Sequence, residues 1–351
     1  MEQSDYNFGD RLLHHLALSA PFVGKLTFEI ETTLSSRKQD DANTKHVFVS
    51  GLARAGTTAL MRAFYATGYY RSLTYRDMPF VLMPGIWKKL STLFHTHDEV
   101  KERAHGDGIH VDFDSPEAFE EVFWRTFSGD EYIFDDCLKP HRASEELIEQ
   151  FRLYVGSIVG SSSGLHQRRY LSKNNNNILR LASVRQAFPN ALILIPFRNP
   201  LQHAISLLSQ HQIFSDRHVI DKFSLDYMNW LCHHEFGMNH IPFRFNQKID
   251  LSLTDYAADN INYWLVTWIN SYRYLLDAAP SGSVFVCYEE LCSSPAETLD
   301  YLFAVADISL KKIHQHETFR ASPVKEASGV DENIKIQAQQ IYLELKSRCL
   351  R

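Results

Sequence analysis

Phe48-Val49-Ser50-Gly51-Leu52-Ala53-Arg54-Ala55-Gly56-Thr57-Thr58-Ala59-Leu60 is the stretch that decides the fold. It begins in a short β-rich run, His46 to Ser50, and ends in a helical pattern that continues to Tyr65. The loop between them holds Gly51 and Gly56. A strand, a glycine loop and a helix in that order aim backbone N–H groups and the positive end of the helix dipole at one point, which makes an anion cradle. Glycine lets the backbone approach a phosphate because no Cβ intervenes. Thr57 and Thr58 add hydroxyls in the first helical turn, and Arg54 adds a positive charge inside the loop. Arg54, Ala55, Gly56, Thr57 and Thr58 are therefore the first set of candidate ligand-binding residues.

The departure from the triphosphate-binding pattern G-x-x-x-x-G-K-[ST] narrows the ligand, because Thr57 stands where that pattern needs Lys. A second expected partner of Mg²⁺-triphosphate, an acidic residue ending a neighbouring strand, is replaced by Arg198 after Phe197. The loop is suited to an anion that arrives without a metal-bound triphosphate.

Outward from this loop the chain alternates strands and helices. Arg169 to Ser172 reads as a strand leading into an amphipathic helix from Ile178 to Phe188. A further strand runs from Ala191 to Phe197, with Pro200 opening a helix through Gln210, a position where Pro is well tolerated. Ser283 to Cys287 is a fourth strand, and Ser293-Ser294-Pro295 starts the next helix. This alternation implies an α/β fold, a parallel sheet of the P-loop type flanked by helices. Longer helical stretches fall at roughly 115–127, 143–159 and 253–278 by their apolar spacing. The polar tracts Ser161 to Gly164 and Asn174 to Asn177 read as turns. One domain over 1–351 is expected, with a core at 46–305, a helical insert at 70–160 that forms the acceptor side, and a loop and helix at 306–351.

A second anion site is expected at Arg198-Asn199-Pro200. Arg198 falls at the carboxyl end of a strand, where ligands of open α/β sheets collect. Ser206, about two helical turns further on, is placed to face the same phosphate. An Arg fork and a Ser hydroxyl are complementary donors for it.

The two sites together resemble the sulfotransferase family, which uses 3′-phosphoadenosine-5′-phosphosulfate (PAPS). Its loop signature R-S-G-T-T is similar to Arg54-Ala55-Gly56-Thr57-Thr58, with Ala in place of Ser. Its R-[DN]-P signature with a Ser eight residues after the Arg matches Arg198-Asn199-Pro200 and Ser206. Lys173 followed by Phe188-Pro189-Asn190-Ala191 is similar to the family's K-x-P … F-P-[DN]-A, and Tyr288-Glu289-Glu290-Leu291 with Pro295 resembles Y-E-[DE]-L … P. The resemblance spans about residues 46 to 305.

What the resemblance implies is transfer of the sulfuryl group from PAPS, as co-substrate, to a hydroxyl or amine, leaving adenosine 3′,5′-bisphosphate. Arg54, Thr57 and Thr58 would hold the 5′-phosphosulfate, and Lys173 would be a further catalytic contact to the sulfuryl oxygens. The missing hydroxyl at Ala55 implies weaker sulfonate contacts. For the base that takes the acceptor's proton, Asp77 and His105 are the candidates, since a carboxylate or a His must come within hydrogen-bond reach. Arg320 or Lys325 in the tail is placed to close over the nucleotide. The acceptor class stays open as a small molecule, a glycan or a lipid-like alcohol. A non-catalytic nucleotide-binding module and a P-loop kinase are the alternative readings.

Composition sets the limits. Over 351 residues, Lys+Arg 36 against Asp+Glu 42 leaves a net charge of −6, which argues against a nucleic-acid partner. Hydrophobic content of 44% supports a full core. Five cysteines at irregular spacing suit neither a disulfide scaffold nor a zinc site, and no metal is expected. The N-terminus lacks a basic region and a long apolar run, and no stretch reaches the length of a membrane span. A cytoplasmic location follows as an expectation; the oligomeric state is not legible.

Overall fold

The computed structural model describes residues 8–34, 42–91, 101–102, 110–111, 115–162, 169–246, 250–308, 319, 321 and 323–349. Its strands are β1 (Val47–Val49), β2 (Tyr70–Arg71), β3 (Lys101–Glu102), β4 (His110–Val111), β5 (Arg169–Lys173), β6 (Leu192–Phe197) and β7 (Val284–Cys287). β3 and β4 pair antiparallel. The others form one sheet in the order β2-β5-β1-β6-β7, every neighbouring pair parallel.

The strand sequences explain why this sheet is central. Alternate residues of a strand face opposite sides. Val47, Val49, Leu171, Leu192, Leu194, Val284 and Val286 pack on one side, against Leu60 and Phe64 of the helix Thr57–Tyr65. Phe48, Tyr170, Ile193, Ile195 and Phe285 pack on the other. Apolar residues at both parities are what a parallel sheet covered on both faces requires. On the second side lies the helix Ile261–Ala278, in which every residue from Ile261 to Tyr272 is buried. It rests between the helices Pro200–Ile220 and Glu332–Arg348.

Several boundaries differ from the sequence reading. The helix expected over Ile178 to Phe188 is instead a 3₁₀ segment, Asn175–Leu179, and a separate helix, Leu181–Ala187. Arg180 lies between them at φ −144°, ψ 25°, drawn out of helical geometry by a buried carboxylate described below. The helix expected to end at Gln210 continues to Ile220. The stretch 253–278 is helical only from Ile261, where the Asn260 side chain accepts from the Asn262 N–H and caps it. The stretch near 115–127 becomes helical at Glu121 and continues to Tyr132, because Pro116 first bridges to Thr74. β2 was not anticipated, since two residues carry no readable alternation. Within the insert, the helix Glu145–Gly160 packs against β2 and β5. No helix among the described residues is long and apolar enough to cross a membrane.

Candidate functional site

In this sheet Lys173, the glycine loop, Arg198 and Tyr288 all sit at the carboxyl ends of parallel strands. Val49 is level with Lys173 of β5 on one side and Leu194 of β6 on the other, and Phe197 is level with Cys287 of β7. Along one edge lie Lys173, the glycine loop after β1, Arg198 after β6 and Tyr288 after β7. The chain leaves β1 for β2 and β5 on one flank before reaching β6 on the other, so the loop stands at the switch point where such sheets bind ligands.

The glycine loop is closely fitted. Gly51 approaches the Pro196 carbonyl, and a Cβ there would lie 3.0 Å from that oxygen. Gly56 has φ +89°, and a Cβ would lie 2.6 Å from the Tyr288 ring. Arg54 also adopts a left-handed φ of 70°, which is uncommon for a residue with a side chain and turns the loop back on itself. Thr57 is buried and Thr58 half-buried in the first turn. Ala55 is fully buried.

The two candidate anion sites are joined by a hydrogen bond. Arg54 Nε donates to Ser206 Oγ at 3.3 Å, so the loop's arginine reaches across to the helix after β6. Arg198 lies over the Tyr288 ring, 5.0 Å from its centroid. Asn199 N–H donates to Glu289 Oε1 at 2.8 Å, and the Tyr342 hydroxyl donates to Glu289 Oε2 at 3.1 Å. Glu289 thus anchors the turn that carries Arg198, while Tyr288 wedges between that turn and Gly56. Lys325 exchanges two main-chain hydrogen bonds of 2.8 Å with the Gln202 side chain, which brings the tail onto the first turn of the same helix. Arg320 lies outside the described residues.

His203 escaped the sequence reading. Its Nε2 donates to the Ala53 carbonyl at 2.8 Å, tying the helix to the loop. Burial, with the charges of Arg198 and Arg54 nearby, pushes its pKa down to about 3 against the pull of the Ala53 hydrogen bond, so the ring is neutral. Nothing in the sequence distinguished it from the other His.

Behind Lys173 lies a buried polar network. Arg180 forms a bidentate ion pair with Glu121 at 2.7 and 2.9 Å, between the rings of Trp124 and Tyr132. The Tyr132 hydroxyl donates to Glu121, and Asn174 Nδ2 donates to Glu121 at 2.7 Å. Asn177 Nδ2 and the Tyr170 hydroxyl donate to Glu120 at 2.8 and 3.0 Å. Burial alone would raise the Glu121 pKa, but the Arg180 charge and these hydrogen bonds outweigh it and hold the carboxyl below its usual range. Glu120 and Glu121 are therefore interior, and they hold the segment that follows Lys173.

Of the two residues expected to take the acceptor's proton, Asp77 has another task. It is buried; Arg71 Nη2 donates to both its oxygens at 2.6 and 2.8 Å, and the N–H and hydroxyl of Thr74 donate to Oδ2 at 2.7 and 3.0 Å. This is a capping box fused to a buried ion pair beyond the sheet's edge strand. His105 lies outside the described residues. No metal-binding cluster of His, Cys, Asp and Glu occurs among the described residues.

A carboxylate that the sequence did not single out stands closer to the loop. Glu235 Oε1 accepts from Asn175 Nδ2 at 2.8 Å, two residues beyond Lys173. Burial would raise its pKa, but His233, the Asn175 hydrogen bond and the Lys173 charge together hold it below the ordinary carboxylate range. His233 Nε2 meets the Ala118 carbonyl at 3.1 Å. Glu235 also lines a small cavity with Leu52 and Ala53 of the glycine loop, Leu207, Phe243 and Trp264.

A profile described as the sulfotransferase family matches residues 46–241. No curated protein matches the chain in sequence. Among solved structures, a sulfotransferase from Mycobacterium tuberculosis is 13% identical with a TM-score of 0.47, over 95% of this chain and 84% of that one. One from Mycobacterium avium is 12% identical with a TM-score of 0.47, over 97% and 79%. One from Alicyclobacillus acidocaldarius is 14% identical with a TM-score of 0.42, over 86% and 94%.

Proposed function

The chain belongs to the sulfotransferase family, and from that premise we propose that it moves the sulfuryl group of PAPS to an acceptor hydroxyl and releases adenosine 3′,5′-bisphosphate. The observation that carries this reading is the junction of the two anion sites, with Arg54 Nε on Ser206 Oγ and both arginines at one end of the sheet. Arg54, Lys173 and Arg198 all follow carboxyl ends of neighbouring strands, which suits a ligand with a phosphate at each end of a nucleoside.

In this reading the backbone of Ala55 and Gly56 and the hydroxyls of Thr57 and Thr58 hold the 5′-phosphosulfate. Arg198 and Ser206 hold the 3′-phosphate, with Arg54 between the two. Lys173 faces the transferring group and offsets charge that develops on its oxygens; one such preorganised donor is worth about 3–4 kcal/mol of barrier. No metal takes part in the proposal. The five cysteines are free thiols, which suits a reducing compartment, and on that ground we place the protein in the cytoplasm.

Calorimetric titration with adenosine 3′,5′-bisphosphate in the absence of Mg²⁺ tests the donor site. Binding is expected for the unaltered protein. Arg198→Ala should weaken it by at least tenfold, the loss of about 1.5–3 kcal/mol given by a hydrogen bond to a charged group. Binding of Mg-ATP with no response to the bisphosphate would reject the reading.

A further inference from the structure

Lys173 closes β5 and is itself buried, and the four asparagines that follow it, Asn174 to Asn177, are buried as well. Amides in the interior have to find hydrogen-bond partners there. The Asn174 N–H continues the sheet by donating to the Val49 carbonyl at 3.1 Å. The four side chains divide between two parts of the chain. Asn174 and Asn177 bind Glu121 and Glu120, which belong to the buried network around Arg180. Asn175 Nδ2 donates to Glu235 Oε1 at 2.8 Å, and Asn176 Nδ2 donates to the Cys232 carbonyl at 3.1 Å. Both of those partners lie in the turn that follows the helix Lys222–Trp230. The same turn is fastened to the helix Pro200–Ile220, which carries Ser206. Gly237 N–H donates to His211 Nδ1 at 3.2 Å, and Met238 N–H donates to His218 Nδ1 at 3.3 Å. Gly237 sits at φ +84°, where a Cβ would collide with the His218 ring, so the turn lies directly on the helix. Residues 232–238 thus form a strut from the helix of the second candidate anion site to the segment that follows Lys173.

We infer that Asn175 and Glu235 are positioning residues for Lys173, and that the strut they complete sets its place relative to Arg198 and Ser206. The inference rests on the proposed donor reading, in which Lys173 faces the transferring sulfuryl group. A lysine side chain has much rotamer freedom, and its ammonium is held in one place only where the backbone beneath it is held first. The sheet fixes the Lys173 backbone on one side. The chain that leaves it is pinned by the Asn175 amide to a carboxylate that is itself held. The Glu235 N–H reaches its own carboxylate, and the charges of His233 and Lys173 favour the ionised form. Asn175 is a neutral donor, so it satisfies Glu235 without adding a cation next to Lys173. Neither residue touches the nucleotide in this reading; both act through Lys173, and a shift of about 1 Å at such a contact is enough to weaken it strongly.

The test uses the full chain and needs no acceptor, because PAPS carries the sulfuryl group and adenosine 3′,5′-bisphosphate lacks it. Both are titrated by calorimetry without Mg²⁺. Lys173→Ala should weaken PAPS binding about tenfold, as loss of one charge-assisted hydrogen bond does, and change bisphosphate binding less than about threefold. The paired variant Asn175→Leu with Glu235→Leu leaves neither an unpaired amide nor a bare carboxylate, so its urea midpoint should stay close to that of the unaltered protein. It should still weaken PAPS binding about fivefold and spare the bisphosphate. Asn175→Ala, a smaller change, is read in the same way. Glu235→Gln, which keeps an acceptor for Asn175, should bind PAPS within about threefold of the unaltered protein. In the Lys173→Ala background the paired change should cost no more than about twofold, since nothing is left to position. Unchanged PAPS binding in the paired and Asn175→Ala variants, an undiminished loss in the Lys173→Ala background, or equal weakening of both nucleotides would overturn the positioning role alone. Unchanged PAPS affinity in Lys173→Ala would overturn the inference at its premise while the bisphosphate site stood. Absence of bisphosphate binding in the unaltered protein would overturn the donor reading and the inference with it.

Discussion

At the scale of single residues, the glycine loop is built on backbone conformations that other residues tolerate poorly. Gly56→Ala would place a methyl group 2.6 Å from the Tyr288 ring at a φ of +89°. We expect it to destabilise the fold by about 1–3 kcal/mol, the usual cost of such backbone strain. Urea unfolding measures this, and calorimetry should show weaker bisphosphate binding in the same variant, because the ring must move and Arg198 lies over it. Much of this site was legible because its residues are neighbours in the chain: Arg54 to Thr58 span the loop and the start of its helix, and Arg198 and Ser206 lie eight residues apart across the turn from β6 into the next helix. Glu235 was not legible. It meets the segment after Lys173 through a hydrogen bond from Asn175, sixty residues away in sequence, and no local pattern encodes such a meeting. The partnership of Asp77 with Arg71, six residues upstream, was not legible either, since nothing in the spacing marks their ion pair as buried.

At the scale of elements, the break at Arg180 shows a tertiary interaction overriding local propensity. The sequence from Ile178 to Phe188 has helical spacing, but an ion pair to Glu121 with two aromatic rings around it pulls the chain into two short pieces. Removing one partner of a buried pair strands the other charge. Arg180→Met should therefore destabilise by about 3–5 kcal/mol. The double variant Arg180→Met with Glu121→Gln should recover part of that loss, since it leaves no bare carboxylate; denaturant midpoints of the single and double variants measure the coupling. Equal destabilisation in both would show that packing of the Arg180 stem, not its charge, holds the segment.

At the scale of the whole molecule, the parallel sheet was the most legible feature, because its strands are short β-rich runs bounded by turn residues. Strand order and the edge strand β2 were not, since pairing is a matter of long-range contact and two residues carry no period. The global consequence of burial is a pH dependence. His203 and His240 have folded pKa values pushed down to about 3 and about 4, below the ordinary value of 6.5. The unfolded chain binds protons on these rings below pH 6.5, while the folded chain does not. Their contribution to stability is therefore complete above that pH and is lost as pH falls through 6.5 toward 3. His203→Gln keeps a donor for the Ala53 carbonyl and removes the titration. Near pH 5 its unfolding should take up about one proton fewer than that of the unaltered protein, read from the slope of stability against pH. An unchanged slope would mean that this ring is charged in the folded state.

The bond from His203 to the Ala53 carbonyl, and that from Arg54 to Ser206, join two crossings of the sheet before any nucleotide arrives. A receptor whose halves are already latched has little to rearrange upon encounter. In stopped-flow mixing, capture of the bisphosphate should follow one exponential whose rate climbs linearly with concentration, without the plateau that a slow reshaping step imposes.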